Sequence, residues 1–193
     1  MHDDIEEILV TEEEIRTKIN QLGEQITHDY QGKNLLLLGV LKGAVPLIGD
    51  LARAISLPLE IDYMAISSYG NATESSGIVR ILKDLESSIQ QKDVLIVEDI
   101  VDSGQTLHYL TDVLRQRRPY SLRICTLLDK GRDRIKAVHL DYIGFRIPDQ
   151  FVVGYGLDYA QRYRNLPYIG TLKPSIYQED ITNPQAQHKS PTE

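Results

Sequence analysis

The stretch Leu35-Leu36-Leu37-Leu38-Gly39-Val40 constrains this chain most, because it is continuously apolar between breakers and does not alternate with polar residues. A strand with one wet face alternates, whereas a strand covered on both faces reads as an unbroken apolar run, so this segment belongs in a parallel sheet sandwiched by helices. Asp93 to Val97 and Leu122 to Leu128, largely apolar, read as further buried strands. Helical signals lie between these strands. Thr11-Glu12-Glu13-Glu14 reads as a capping box, followed by Ile15, Ile19, Leu22 and Ile26 at helical spacing and by Gly32 as the stop. Further helices are predicted over about 44–55 and 104–117, with strands over Leu59 to Ile66 and Val79 to Leu82 and near 140–144, 151–153 and 168–172. Alternating strands and helices predict an α/β fold with a mainly parallel central sheet flanked by helices. In such folds ligands bind at the carboxyl ends of the strands.

At 193 residues the chain has room for one domain of ordinary size. Residues 1–173 are expected to form that domain and 174–193, with Pro174, Pro184 and Pro191, a loosely ordered polar tail. The single cysteine, Cys125, lies in an apolar strand, so a buried inert thiol and a reducing, cytoplasmic compartment are expected. An acidic N-terminus and no long apolar run predict no export and no membrane partner. The net charge of −7 argues against a surface built to hold nucleic acid.

The most informative stretch is Val94 to Leu107, in which a buried strand runs into Glu98 and Asp99, then into Asp102-Ser103-Gly104-Gln105-Thr106, then into a helix. Backbone amides, the hydroxyls of Ser103 and Thr106 and the positive helix end make a cradle for one phosphate, with Gly104 allowing close approach. Glu98 and Asp99 are acceptors suited to vicinal ribose hydroxyls. A helix cap and a solvated acidic pair are the plain alternatives. The cap would suffice for Ser103 alone, but not for two acids abutting an apolar strand, where unpaired charge is costly. The pattern therefore describes a ribose 5-phosphate site.

Val97 to Leu107 resembles the phosphoribosyl-pyrophosphate signature of type I phosphoribosyltransferases. The likeness to the bacterial hypoxanthine (hypoxanthine-guanine) phosphoribosyltransferases extends over about Ile8 to Lys173 and includes Leu41-Lys42-Gly43, Ser68-Tyr69-Gly70 and Phe151 to Tyr159. The resemblance implies a hood subdomain from the N- and C-terminal segments. It also implies transfer of 5-phosphoribosyl from phosphoribosyl pyrophosphate to N9 of a 6-oxopurine base, with Mg2+ as cofactor, in a homo-oligomer, dimer or tetramer. Asp102 would exchange the proton at N7. Glu98, Asp99, Asp102, Ser103, Gly104, Gln105 and Thr106 would hold the ribose and 5-phosphate. Leu41, Lys42 and Gly43, with a cis peptide between the first two, would meet pyrophosphate with Ser68, Tyr69 and Arg164. Lys130, Phe151, Val152 and Asp158 would bind the purine, and Glu98, Asp99 and Asp158 would serve the metal.

By pattern alone, Leu41-Lys42-Gly43 is a structural turn, Phe151 and Val152 are core, Lys130 belongs to a solvated charged turn and Arg164, like Arg162, is a surface cation. The polar run 67–79 is expected to be a long loop, closing as a lid over the site. Two rival functions are a guanine- or xanthine-preferring transferase and a nucleic-acid-binding regulator that keeps the fold. The acidic balance, the presence of Asp102 and the lack of a basic domain weigh against the regulator.

Overall fold

The computed structural model describes residues 1–69, 78–131 and 137–176. In chain order the elements are β1 (Ile5–Val10), α1 (Glu12–Asp29), β2 (Leu35–Leu41), α2 (Val45–Ala54), β3 (Glu60–Tyr69) and β4 (Ile78–Lys83). They continue with β5 (Asp93–Val101), α3 (Gln105–Gln116), β6 (Ser121–Asp129), β7 (Tyr142–Arg146) and β8 (Ile169–Leu172). Six strands form the central sheet in the order β4-β3-β2-β5-β6-β7. Every neighbouring pair is parallel except β3 with β4.

The unbroken apolar strands split their side chains between two cores. Leu35 and Leu37, Leu95 and Val97, and Cys125 and Leu127 pack on one side with Ile15, Ile19, Leu22 and Ile26 of α1 and Leu47, Ile48 and Leu51 of α2. Leu36 and Leu38, Val94 and Ile96, and Ile124 pack on the other with Leu107, Leu110 and Leu114 of α3. Helices thus cover both faces, which is why these strands carry no polar alternation. The capping box at Thr11 forms as expected, with its hydroxyl accepting from the Glu14 amide.

A second, two-stranded antiparallel sheet pairs β1 with β8. It forms the small hood, with Val153, Tyr163, Leu166 and Leu172 as its own core. The N-terminus is strapped to it, because Tyr163 donates to Asp4 and the Lys173 amide donates to the Asp4 carbonyl.

Several boundaries differ from the sequence reading. Helix α1 ends at Asp29, before Gly32, which takes a left-handed φ of 73° in the following turn. Strand β5 continues four residues past Val97, because Glu98, Ile100 and Val101 pair with Thr126, Leu128 and Asp129 of β6. The segment 151–153 is no strand and makes one isolated bridge, Val153 to Gly170. β1 had no sequence signal, because Glu6 and Glu7 break its apolar pattern and β8 supplies the pairing. Of the expected loop, 67–69 and 78–79 lie in β3 and β4, and the lid expected over 70–77 falls outside the described residues. Of the tail, 174–176 are described, with Ile176 against the hood core, and 177–193 fall outside. No helix among the described residues is long and apolar enough to cross a membrane.

Candidate active site

Three segments distant in sequence meet at the carboxyl end of the sheet. After β2, the Leu41-Lys42 peptide is cis, as the resemblance implied. The next residue, Gly43, lies against the acidic pair of β5: a Cβ there would stand 1.5 Å from Asp99 Oδ2. From the other side Gly156, at φ +100°, approaches so closely that its Cβ would stand 1.9 Å from the Gly43 carbonyl oxygen. Both positions exclude a side chain on spatial grounds, and the sequence reading assigned Gly156 no part. Arg164 ties the third segment together, its Nη1 donating to the Gly156 carbonyl at 2.8 Å and its Nη2 lying 2.7 Å from Asp158 Oδ1.

The acids of β5 are unusually placed. Glu98 Oε2 is sealed from solvent and has no hydrogen-bond partner. Burial, followed by the neighbouring Asp99 charge, pushes the Glu98 carboxyl well above the ordinary range. Burial also raises Asp99 to about 6, against the opposing effects of the Ile100 amide and Arg164, with Asp158 adding to the rise. A carboxylate oxygen inside a protein without a partner is costly. The pair is therefore arranged for something that brings hydroxyls or positive charge.

Beyond the acids the chain bends over Asp102-Ser103-Gly104 and enters α3, with Gly104 as N-cap at φ 76°. That left-handed conformation suits glycine. The N-cap, Gly104, has no side chain to cap α3, and the first turn of the helix opens toward an anion with only a long contact at its first amide. The Gln105 amide lies 3.5 Å from Ser103 Oγ. A cavity of about 100 Å³ is lined here by Glu98, Asp102, Ser103, Gly104 and Thr106 with apolar neighbours. A larger cavity of about 320 Å³ lies apart from this constellation against α1 and α2. In its wall Asp50 accepts from both Arg53 and Tyr155.

Lys130 follows β6 and returns toward Asp102. Its Nζ stands 3.3 Å from Asp102 Oδ2 and 3.2 Å from Asp149 Oδ1. Its side chain is only 12% exposed, so this is not the solvated turn that pattern alone gave. Asp149 had no place in the sequence reading. Phe151 is 54% exposed and meets Tyr159 edge-on, whereas Val152 is buried in the core. Phe151 thus departs from the core expectation of its apolar pattern. Arg162 is exposed, as pattern alone gave. Ser68 and Tyr69 lie in β3, and their side chains fall outside the described residues.

No group of three or more His, Cys, Asp or Glu suited to a metal occurs among the described residues. Magnesium takes oxygen ligands, keeps several waters and is shared between carboxylates and substrate phosphates. The unpartnered Glu98 oxygen and the raised Asp99 carboxyl fit such a cation.

Residues 5–160 match the phosphoribosyl transferase domain family. The chain is 54% identical to the hypoxanthine-guanine phosphoribosyltransferase of Bacillus subtilis, over 92% of this chain and 99% of that protein. It is 55% identical to the bifunctional protein TilS/HprT of Listeria innocua, over 93% of this chain, and spans about 28% of that longer protein's length. The crystal structure of a hypoxanthine phosphoribosyltransferase from Staphylococcus aureus superposes with a TM-score of 0.89 at 54% identity, covering 92% of this chain and 96% of that one. With a strand-to-helix cradle, an acidic pair at its mouth and a cis peptide beside it, the chain belongs to the phosphoribosyl transferase domain family.

Proposed function

We propose that this chain is a purine-salvage enzyme. It transfers the 5-phosphoribosyl group of phosphoribosyl pyrophosphate to N9 of hypoxanthine and guanine, giving IMP or GMP and pyrophosphate. The observation that carries this reading is the contact of Lys130 with Asp102, at 3.3 Å, beside the uncapped start of α3. It sets a donor for a 6-oxo group and an acceptor for the N7 proton at one edge of a phosphate cradle.

The 5-phosphate takes the amides from Ser103 to Thr106 and the hydroxyls of those two residues. Glu98 and Asp99 accept from the ribose hydroxyls, and the orphaned Glu98 oxygen gains its partner on binding. Leu41, Lys42, Gly43 and Arg164 face the pyrophosphate, with Ser68 and Tyr69 on the same side. As N9 bonds to C1′ and the C1′–oxygen bond to pyrophosphate breaks, the N7 proton passes to Asp102. Phe151 stacks on the purine, the Val152 backbone meets its edge and Lys130 donates to O6. Asp99, Glu98 and Asp158 would hold Mg2+, which when bound supplies charge stabilisation to the departing pyrophosphate.

The single buried thiol supports a cytoplasmic setting, and the family likeness supports a homo-oligomer, dimer or tetramer.

Lys130 has three donors and no acceptor, so it matches a 6-oxo group and not a 6-amino group. The test is initial rates with hypoxanthine, guanine, xanthine and adenine at fixed sugar phosphate and magnesium. Hypoxanthine and guanine should be used well, and adenine about 10⁴-fold less, as for sites built on one buried polar contact. Preference for adenine would overturn the reading, and xanthine as best substrate would replace it with the xanthine-type transferase.

A further inference from the structure

We infer that Asp149 is a positioning residue for base selection, holding the Lys130 ammonium where it meets the 6-substituent of the purine. This rests on the assignment of Lys130 to that substituent.

The argument begins with charge. The Lys130 side chain is nearly buried, at 12% exposure, and its ammonium lies between two carboxylates, Asp102 Oδ2 at 3.3 Å and Asp149 Oδ1 at 3.2 Å. A nearly buried ammonium requires compensation. Asp102 cannot supply it throughout the reaction. When Asp102 takes the N7 proton it is neutralised, and Lys130 loses that counter-charge just as the 6-oxo group must stay anchored. Asp149 is not the proton acceptor, so its contact with the ammonium does not depend on that transfer.

Geometry gives the same assignment. Asp149 lies two residues before Phe151, on the segment that carries the exposed stacking ring. One stretch of backbone therefore carries both the ring that sets the plane of the base and the carboxylate that anchors the cation at its edge. With one N–H toward Asp149 and one toward Asp102, the third is left for an acceptor on the base. Without Asp149 the ammonium follows Asp102 alone, and its aim at O6 is lost. Asp149 is itself 46% exposed, so its replacement leaves the fold intact.

The experiment compares kcat/KM for hypoxanthine and for unsubstituted purine, which lacks the 6-oxo group, in the full chain. Any effect transmitted through Asp102 strikes both bases alike and cancels in the ratio. In Asp149→Asn the hypoxanthine-to-purine ratio should fall about tenfold, as expected for loss of a charge-assisted hydrogen bond, with KM for the sugar phosphate within twofold of the parent. Asp149→Glu, which keeps the carboxylate, should retain most of the ratio. In Lys130→Ala the ratio should fall further, and adding Asp149→Asn to that variant should lower the ratio no more, because Asp149 bears on that ratio through Lys130. Should Asp149→Asn fail to fold, Asp149→Ser is read in the same way. A lowered ratio in Lys130→Ala with a parental ratio in Asp149→Asn would overturn the role of Asp149 alone. A parental ratio in Lys130→Ala would overturn the base assignment itself, and the role of Asp149 with it.

Discussion

Asp102 stands where one carboxylate oxygen meets the Lys130 ammonium at 3.3 Å, while its backbone enters the phosphate turn. Replacement by Asn preserves shape and hydrogen bonding to Lys130 but cannot accept a proton from N7. We expect Asp102→Asn to bind nucleotide normally and to lose turnover by roughly 10²–10⁴, the range for a positioned acid or base. Steady-state rates beside nucleotide dissociation constants check this, and parental turnover would remove Asp102 from the chemistry. Asp99 answers a different question, since burial lifts its carboxyl to about 6 in the folded chain. In the unfolded chain an Asp titrates near about 3.9, so the folded state holds the proton more tightly. The carboxyl therefore destabilises the ligand-free fold increasingly as pH rises from about 4 to about 6, and constantly above. Asp99→Asn removes that penalty. Its melting temperature, with chelator and no substrate, should match the parent near pH 4 and exceed it by a few degrees at pH 8, at about 2–4 °C per kcal/mol. An equal difference at both pH values would show that burial of charge is not what the substitution relieves.

At the scale of elements, the site depends on where strands end and how closely the following loops approach. β5 pairs with β6 through Val101, so Glu98 and Asp99 are strand residues, with Val97 and Ile100 paired on either side of them. Gly43 comes from the neighbouring strand's loop and lies where a Cβ would overlap Asp99 Oδ2 at 1.5 Å. Gly43→Ala must therefore displace either the loop or the carboxylate. Overpacking of this kind typically costs about 1–3 kcal/mol. If the loop faces pyrophosphate as proposed, kcat/KM for the sugar phosphate should fall about 10–100-fold while the circular dichroism spectrum is kept. Unchanged kinetics in Gly43→Ala would show that neither loop nor carboxylate needs its present place.

The whole molecule is a sheet shielded on both faces, and Cys125 reports on that shield. It sits fully buried in β6, and burial pushes its thiol up to about 12. Because β6 lies between β5 and β7, reaching the thiol requires the central sheet to open. An aromatic disulfide reagent should leave the native chain unlabelled and react fully in denaturant, with slow native labelling tracking global unfolding. Rapid labelling of native chain would mean that β6 opens locally.

The two-faced parallel sheet was legible in the sequence because burial on both sides disfavours polar residues, as Leu35 to Val40, Val94 to Val97 and, with Thr126 as its one polar member, Ile124 to Leu128 show. The turn proposed to hold phosphate was legible for a local reason, since strand, acids, Ser-Gly turn and helix are contiguous from Val94 to Leu107. Contacts between distant segments left no such trace. The fit of Gly156 against the Gly43 carbonyl joins residues more than a hundred positions apart, and neither glycine differs in sequence from one in an ordinary turn. β1 follows the same logic, because a strand broken by Glu6 and Glu7 exists through its pairing with β8 at the far end of the chain. Asp149 had no role in the sequence reading, and only the fold sets it 3.2 Å from Lys130. Periodicity and local motifs record how each segment faces water, and so the sequence by itself determined the layers and the cradle. Which side chains share a charge or exclude a Cβ depends on three-dimensional proximity, and only the tertiary structure decided that.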